Sequence, residues 1–181
     1  MGATCTRRAG LAGLLALGLA GCSSLKPASP GAAPEAPPLP VQPGTAASAL
    51  DAALTVEQRW LSDWFRGTPV RITRNGDGDL DIEVPRAFCF EPGRDALQPA
   101  LAAVLDKAAE SLRRVPAARL MRLAAPGDGA ATAASTALAL RRAGRVQRHL
   151  RGRGVPAARL AAPSVAEAAA VQLRLGADPG G

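Results

Sequence analysis

Asp128 and the arginines of the helix that follows it are the charged side chains that this sequence places best for binding a ligand together. Residues 120–124 predict a short strand, which runs into a Pro/Gly turn that holds Asp128. A long helical segment, residues 133–151, follows and carries Arg142. This order can place an acid and a base beside the same cleft. A carboxylate pairs with an ammonium group and the planar fork of an arginine binds a carboxylate, so Asp128 and an arginine of this helix could together bind a ligand that carries both groups.

No catalytic constellation is visible in the sequence. His149 is the only histidine, and it lies among arginines whose positive charges disfavour the imidazolium that a general acid needs. A surface position on the helix is therefore the favoured interpretation of His149. The sequence contains neither a cluster of His and Cys for zinc nor a glycine-rich phosphate loop. We predict a protein that is not an enzyme and that has no metal site and no cofactor.

The net charge of +7 at pH 7 comes almost entirely from arginine. Alanine, glycine and proline are also enriched, as a GC-rich coding bias would produce, so the charge is not taken as a sign of nucleic-acid binding. Surfaces that bind nucleic acids interleave aromatic and basic residues, whereas Trp60 and Trp64 lie far from the arginine cluster. Arg141, Arg145 and Arg148 share one helical face. A solvated surface is favoured there over an attraction to anionic lipid head groups or carboxylates.

The first 22 residues carry the most specific signal in the chain. Arg7 and Arg8 form a charged region, and residues 9–18 are apolar but too few to span a bilayer. Residues 19–22 read Leu-Ala-Gly-Cys and resemble the lipobox of bacterial lipoproteins. The resemblance implies a signal peptide over residues 1–21 and an acylated (palmitate-carrying) Cys22, and Ser23 in the next position implies the outer membrane. The alternative is an ordinary secretory signal that contains a cysteine.

Residues 22–48 form the predicted tether. The segment is rich in proline and alanine and lacks the apolar periodicity of a core element, so we expect a partly polyproline-II chain. At about 3.1 Å per residue it would reach roughly 80 Å at most. Once Cys5 is removed and Cys22 is acylated, Cys89 has no intramolecular disulfide partner. A buried and inert thiol is the favoured interpretation of Cys89, ahead of a redox or metal role.

Residues 49–83 predict a helix followed by a β-hairpin. The helix is expected to begin near Ala49, with a capping box at Thr55, and to end at Gly67. An apolar face that contains both tryptophans would pack on the domain. The hairpin strands are residues 70–73 and 80–84. The loop between them places Asn or Asp at every second position, but it lacks the EF-hand pattern, so a turn is favoured over a calcium site.

Residues 84–176 predict a domain with the element order β-α-β-α-β-β. The strands are expected at residues 85–90, 120–124, around 159–161 and at 171–175. The first helix has a buried stripe that ends before Pro116, and the second is the helix of Arg142. Helices that alternate with strands suggest an α+β sheet with the helices packed on one face. Six apolar residues are the predicted centre of the core: Leu101, Leu105, Leu112, Leu138, Val146 and Leu173.

This domain resembles the OmpA-like domain that binds peptidoglycan and also occurs in peptidoglycan-associated lipoproteins. Residues 84–90 resemble the first strand of that family, residues 97–99 with Leu105 its first helix, and residues 154–160 its later turn and strand. Residues 138–146 resemble the family's Leu-Ser-x-x-Arg-Ala-x-x-Val run, whose arginine corresponds to Arg142. The resemblance implies a site for a zwitterionic amino acid such as diaminopimelate, formed by Asp128 and Arg142.

The sequence also departs from the family pattern around this site. The family's Gly-His-Thr-Asp turn is replaced by residues 125–128, Ala-Pro-Gly-Asp, and matching Asp128 to the family's aspartate requires a one-residue deletion. Ser135 stands in place of an asparagine, and the basic residues before the last strand are alanines at 168–170. The resulting prediction is an outer-membrane lipoprotein whose periplasmic domain binds peptidoglycan, with residues 177–181 as a tail. The alternative is an OmpA-like fold with a decayed pocket that serves as a subunit of an envelope assembly with a protein partner.

Overall fold

The computed structural model describes residues 43–177, and the side chains from residue 46. The predicted signal peptide, the acylation site Cys22 and the tether up to residue 42 lie outside the described residues, as do residues 178–181 of the tail. Within the described range, three α-helices accompany a five-stranded mixed sheet. The helices are α1 (Pro43–Trp64), α2 (Pro99–Arg114) and α3 (Ala133–Gly152). None of them is long and apolar enough to cross a membrane.

The sheet joins strands from both ends of the described chain. The strands are β1 (Arg71–Arg74), β2 (Leu80–Pro85), β3 (Arg119–Ala125), β4 (Pro163–Val165) and β5 (Ala170–Gly176), in the spatial order β1-β2-β5-β3-β4. All neighbouring pairs are antiparallel except β3 and β4. The parallel pair follows from the crossover through α3, because a parallel neighbour cannot be reached by a tight turn. The carboxyl end of β3 therefore leads directly into the loop that precedes α3.

Local sequence signals explain where α2 and α3 begin and end. Pro99 occupies the first turn of α2, where its missing N–H is not needed. The Thr132 side chain caps α3 by accepting a hydrogen bond from the Ser135 N–H at 3.1 Å. The carboxyl end of α3 is a Schellman motif, in which Gly154 has a φ of +83° and the Val155 N–H donates to the Leu150 carbonyl.

The three helices and the sheet share one apolar core. The buried positions of β2 and β5 alternate with less buried ones, so each strand presents one face to the helices. All six residues predicted for the centre of the core are buried. The predicted α+β class is therefore confirmed, as are α2, α3, β3 and β5 within two residues at each end.

The predicted strand at residues 85–90 was wrong. The strand that enters the sheet is β2, which ends at Pro85, and a 3₁₀ turn, Arg86–Phe88, follows it. The N–H groups of Cys89 and Phe90 both donate to the Arg86 carbonyl, which turns the chain out of the sheet. The segment assigned to a hairpin ahead of the domain is thus a central strand of the domain itself, since β2 pairs with β5 along its length.

Two further predictions of local structure were wrong. Thr55 does not cap a helix, because α1 begins at Pro43 and the Thr55 hydroxyl donates to the Asp51 carbonyl one turn earlier, at 2.9 Å. The strand expected around residues 159–161 is a 3₁₀ turn, Ala157–Arg159, and β4 follows it. Arg159 stabilises this turn by donating to the carbonyls of Leu112 and Val115 at the end of α2. The loop between β1 and β2 is a turn, as predicted, closed by the Asn75 side chain.

Helix α1 packs on α2 through a buried carboxylate and two tryptophans. Glu57 accepts hydrogen bonds from the Ser111 hydroxyl at 2.6 Å and from two nitrogens of Arg114 at 2.6 and 2.9 Å. The Arg114 guanidinium also lies 3.6 Å from the centre of the Trp60 ring. The expected docking of the tryptophan-bearing face is confirmed for Leu61, which is fully buried, while Trp64 remains largely exposed.

Candidate functional site

The two predicted site residues, Asp128 and Arg142, lie in direct contact. Asp128 belongs to the loop between β3 and α3, and Arg142 lies on the third turn of α3. The Arg142 Nη1 and Asp128 Oδ1 atoms are 2.7 Å apart. The loop can approach α3 this closely because Gly127 has no side chain, and a Cβ atom at this position would collide with Ser135. The fold therefore brings together the two residues that the family resemblance implied.

The Arg142 side chain is completely buried, with an exposed fraction of 0%. Its Nε donates to the Arg94 carbonyl at 2.9 Å and its Nη2 to the Glu91 carbonyl at 3.1 Å. Its Nη1 donates to the Pro126 carbonyl at 2.9 Å as well as to Asp128. The guanidinium carbon also lies 4.8 Å from the centre of the Phe90 ring, close enough for a cation–π contact. Arg142 thus ties the loop before α2 to the loop before α3.

Asp128 is the member of the pair that reaches the surface. Its side chain is 28% exposed, and its second oxygen, Oδ2, accepts a hydrogen bond from the Gly93 N–H. The hydrogen bond from Arg142 holds the pKa of the Asp128 carboxyl below its usual value. The Gly93 N–H and the positive charge of Arg86 act in the same direction. Asp128 is therefore ionised at neutral pH and presents a fixed negative charge.

Asp128 lines a cleft of about 690 Å³, here called the Asp128 cleft. A volume of this size is typical of small-molecule sites. The polar lining residues are Arg86 in the 3₁₀ turn after β2, Glu91 and Gln98 before α2, and Asp128 before α3. The other lining residues are apolar or small and are Pro85, Ala87, Phe90, Pro92 and Ala169. The cleft combines charges of both signs with apolar walls, which suits a ligand that is itself zwitterionic.

Arg86 is the cationic side chain that lines the cleft, and sequence reasoning missed it. Its Nη1 donates to the Gly127 carbonyl at 3.1 Å, next to Asp128, and its backbone N–H donates to the Ala169 carbonyl at 2.9 Å. Glu91 and Gln98 were missed as well. Arg86 lies within residues 85–90, which were expected to form a strand, and a strand would have pointed alternate side chains to opposite faces. The signal that could have revealed Arg86 is Pro85, because proline is disfavoured inside a central strand and often marks a break in local structure.

The structure also shows where the other residues considered in the sequence lie. His149 is half-buried on α3 and its Nε2 lies 2.6 Å from an oxygen of Asp106, a carboxylate that also pairs with Arg153. Arg141, Arg145 and Arg148 are exposed, as expected for a solvated helix face. Cys89 is buried, and its thiol lies 3.3 Å from the carbonyls of both Val84 and Pro85. Burial raises the pKa of this thiol to about 12, so it is inert at neutral pH. Among the described residues, no group of three His, Cys, Asp or Glu side chains is arranged to hold a metal ion.

Comparison with known proteins places the fold but gives no sequence family. No protein-family model and no curated protein matches the sequence. A MotB-like protein from Desulfovibrio vulgaris has a similar structure, with 18% identity and a TM-score of 0.59 over 74% of this chain and 99% of that one. The periplasmic domain of MotB (residues 64–256) matches with 16% identity and a TM-score of 0.52, over 62% of this chain and 70% of that one. The same domain of Helicobacter pylori MotB (residues 78–256) matches with 16% identity and a TM-score of 0.51, over 62% and 84% of the two chains. At these identities the comparison shows a common fold.

Proposed function

We propose that this protein is a lipoprotein of the bacterial outer membrane whose periplasmic domain binds peptidoglycan without a covalent bond. The observation that carries the proposal is the Asp128 cleft, in which a buried arginine holds an ionised carboxylate at the mouth of a pocket. The OmpA-like motifs around Arg142 support it, since that family binds the peptide of peptidoglycan. The fold supports it too, because it is the fold of periplasmic domains of MotB proteins.

The ligand that suits the site is the amino-acid end of a peptidoglycan stem peptide. Asp128 would accept hydrogen bonds from its ammonium group, and the positive charges in and behind the cleft would attract its carboxylate. Arg142 belongs to this site as the residue that fixes Asp128 and keeps it ionised. Phe90 and the alanines of the lining would pack against the aliphatic part of the ligand.

Anchoring to the membrane is part of the proposal and rests on the sequence of residues 19–22. An acylated Cys22 would place the binding domain at the end of the proline-rich tether, within reach of the cell wall. Several acyl chains on one residue hold a protein firmly at a bilayer, whereas a single chain does not. The test is incorporation of labelled palmitate into the wild type and into Cys22→Ser. Equal labelling of the two proteins would contradict the anchor.

The test of binding is co-sedimentation of the full-length protein, in mild detergent, with purified peptidoglycan sacculi. We expect the wild type to pellet at low salt and Asp128→Asn to lose about 10- to 100-fold in affinity, because a charged hydrogen bond contributes about 1.5–3 kcal/mol. Arg141→Ala is the matched control, since it removes an exposed arginine outside the cleft, and it should pellet like the wild type.

One observation favours the alternative, a subunit of an envelope assembly that has lost the binding activity. The hydrogen-bonding groups of Arg142 are already used by backbone carbonyls and Asp128, so this arginine has little capacity left for a ligand. A wild-type protein that stays in the supernatant at low salt would favour this alternative. Recovery of a specific envelope protein with the wild type after crosslinking would then identify the partner.

A further inference from the structure

We infer that Arg86, and not Arg142, binds the carboxylate of the ligand, and that Arg142 is a positioning residue for Asp128. The inference rests on the proposed function and assigns roles within the same cleft. The ligand class is the one that the family resemblance implies, and the inference concerns which side chain binds which of its two charged groups. The ligand is a peptide whose terminal amino acid carries a free ammonium and a free carboxylate close together.

Arg142 is unsuited to direct contact because every face of its guanidinium is covered. Its side chain has no exposed surface, its three nitrogens donate to the carbonyls of Glu91, Arg94 and Pro126, and Nη1 also bonds Asp128. The Phe90 ring covers the flat side of the group. A ligand carboxylate could reach it only by displacing Asp128 or a carbonyl, and a buried polar group that loses its partner is costly. Such a displacement would break a hydrogen bond by which Arg142 holds the two loops together.

Arg86 has the opposite properties. It lines the cleft and is only half-buried, and a single hydrogen bond, from Nη1 to the Gly127 carbonyl, fixes its guanidinium. Within the described residues, no hydrogen bond or ion pair occupies its Nε and Nη2 atoms. These two nitrogens form one edge of the fork that binds both oxygens of a carboxylate. Arg86 therefore combines a fixed position with an open binding edge.

The relation between Arg86 and Asp128 selects the ligand. Arg86 bonds the carbonyl of the residue directly before Asp128, and the positive and the negative group line the same cleft. The charge of Arg86 also contributes to the low pKa of the Asp128 carboxyl. An α-amino carboxylate presents an ammonium and a carboxylate on one carbon and can meet both groups at once. A ligand with only one of the two charges would leave the other protein group without a partner.

The test measures binding of two synthetic stem peptides by calorimetry, using the full-length protein in mild detergent. One peptide ends in diaminopimelate with its side-chain α-amino carboxylate free, and the other is identical except that this carboxylate is an amide. We expect Arg86→Ala to weaken binding of the free acid about 10- to 100-fold, the usual loss for a charged hydrogen bond. The same substitution should leave the already weaker binding of the amide unchanged. Arg86→Lys keeps the charge without the fork and should fall between the wild type and Arg86→Ala.

Two further variants separate the roles of the arginines. Arg142→Lys should weaken both peptides by a similar factor, because it disturbs Asp128 and thereby the ammonium contact that the peptides share. Arg141→Ala should bind both peptides like the wild type. Thermal unfolding of every variant shows whether a loss of binding merely reflects a loss of folded protein.

The outcomes distinguish this inference from the proposed function. If the wild type binds neither the sacculi nor the free-acid peptide, the proposed function fails and the inference fails with it. If the wild type binds the free acid and Arg86→Ala binds it equally well, the function stands and the role of Arg86 is overturned. A loss that is equal for the acid and the amide also overturns it, since Arg86 would then act on the cleft as a whole. Only a loss confined to the free acid supports the assignment.

Discussion

Two buried ion pairs hold this domain together, and they are arranged in opposite ways. At the contact between α1 and α2, the carboxylate of Glu57 is 6% exposed while its partner Arg114 is 36% exposed. At the Asp128 cleft, the arginine is fully buried and the carboxylate faces outward. In both cases the buried charge requires its partner, because an unpaired charge in the interior is strongly unfavourable. The two pairs differ in the further contacts that the outward partner makes.

At the α1–α2 contact, the outward charge, Arg114, is bound by other groups of the protein. Arg114 stacks on Trp60 and bonds Glu110 at 2.8 Å in addition to Glu57. Lys107 covers the neighbouring Trp64 ring at 3.8 Å in the same manner. At the cleft, Asp128 has one further contact, from the Gly93 N–H, and it lines an open pocket. The first pair thus lies within the fold, whereas the second leaves a charge that faces an open cleft, as the proposed ligand site requires.

The largest effect is expected when the buried cation of the cleft is removed. Arg142→Met keeps an unbranched apolar side chain in place of the aliphatic part of arginine but deprives Asp128 and three carbonyls of a donor. Loss of one partner of a buried pair costs about 3–5 kcal/mol. Asp128 keeps some contact with water, so we expect about 3 kcal/mol. Denaturant unfolding with an unchanged m-value measures this loss in the free energy of unfolding.

Arg141→Met is the control for this measurement because it changes the neighbouring residue of the same type on the same helix. Arg141 is exposed and has no hydrogen bond or ion pair among the described residues. A surface substitution of this kind changes stability by about 0.5 kcal/mol or less. If Arg142→Met is as mild as its control, the buried pair does not hold the two loops and the contrast with the α1–α2 contact disappears.

A smaller effect is expected at the contact between α1 and α2. Glu57→Gln removes the charge from two hydrogen bonds to Arg114 and from one to Ser111, while it preserves the shape of the side chain. Charged hydrogen bonds contribute about 1.5–3 kcal/mol. Since Arg114 is partly exposed and stays on Trp60, we expect about 1–2 kcal/mol in denaturant unfolding. The fluorescence of Trp60 and Trp64 should show a looser α1 at the same time.

Glu57→Gln also tests whether the contact between α1 and α2 affects binding at the Asp128 cleft. Glu57→Gln should leave the affinity for sacculi unchanged, because none of its contacts line the Asp128 cleft. Glu57→Asp offers a second variant that keeps the charge and shortens the side chain. A loss of sacculus binding in Glu57→Gln, with the domain still folded, would show that the two ion pairs are coupled and not separate in function.

The sequence predicted those elements whose first and last residues are set by local sequence signals. Helix α3 lies where it was expected, and the signals at its two ends, the Thr132 cap and Gly154, do not depend on the rest of the fold. The strand expected at residues 85–90 was wrong because Phe88 and Phe90 have the composition of a strand, whereas β2 is defined by its pairing with β5. That partner lies about ninety residues further along the chain, and a local pattern does not contain it.

The same distinction applies to the candidate site. The order of strand, turn and helix was enough to expect Asp128 near the arginines of α3, and the family resemblance selected Arg142 among them. The burial of Arg142 was not predictable from that order, since the carbonyls of Glu91 and Arg94 come from a loop about fifty residues earlier. Arg86 was missed for a related reason, because its place in the cleft depends on the turn after β2. Side chains that meet through distant backbone segments are the part of a site that sequence patterns describe least well.

The smallest predicted effect is the dependence of stability on pH at the outward carboxylate of the cleft. Because Arg142 lowers the pKa of Asp128 in the folded protein, this carboxyl stabilises the fold fully only above its pKa in the unfolded chain, about 3.9. The contribution is lost as the pH falls through the lower pKa of the folded state. The difference in unfolding free energy between the wild type and Asp128→Asn should therefore be constant from pH 7 to about pH 5 and shrink below about pH 4. Asp95, whose pKa is lowered chiefly by a hydrogen bond from Arg145 on the solvated face of α3, provides the comparison through Asp95→Asn. A difference for Asp128→Asn that stays constant down to pH 3 would mean that the outward carboxylate is not held by Arg142, and the contrast between the two buried pairs would lose its basis.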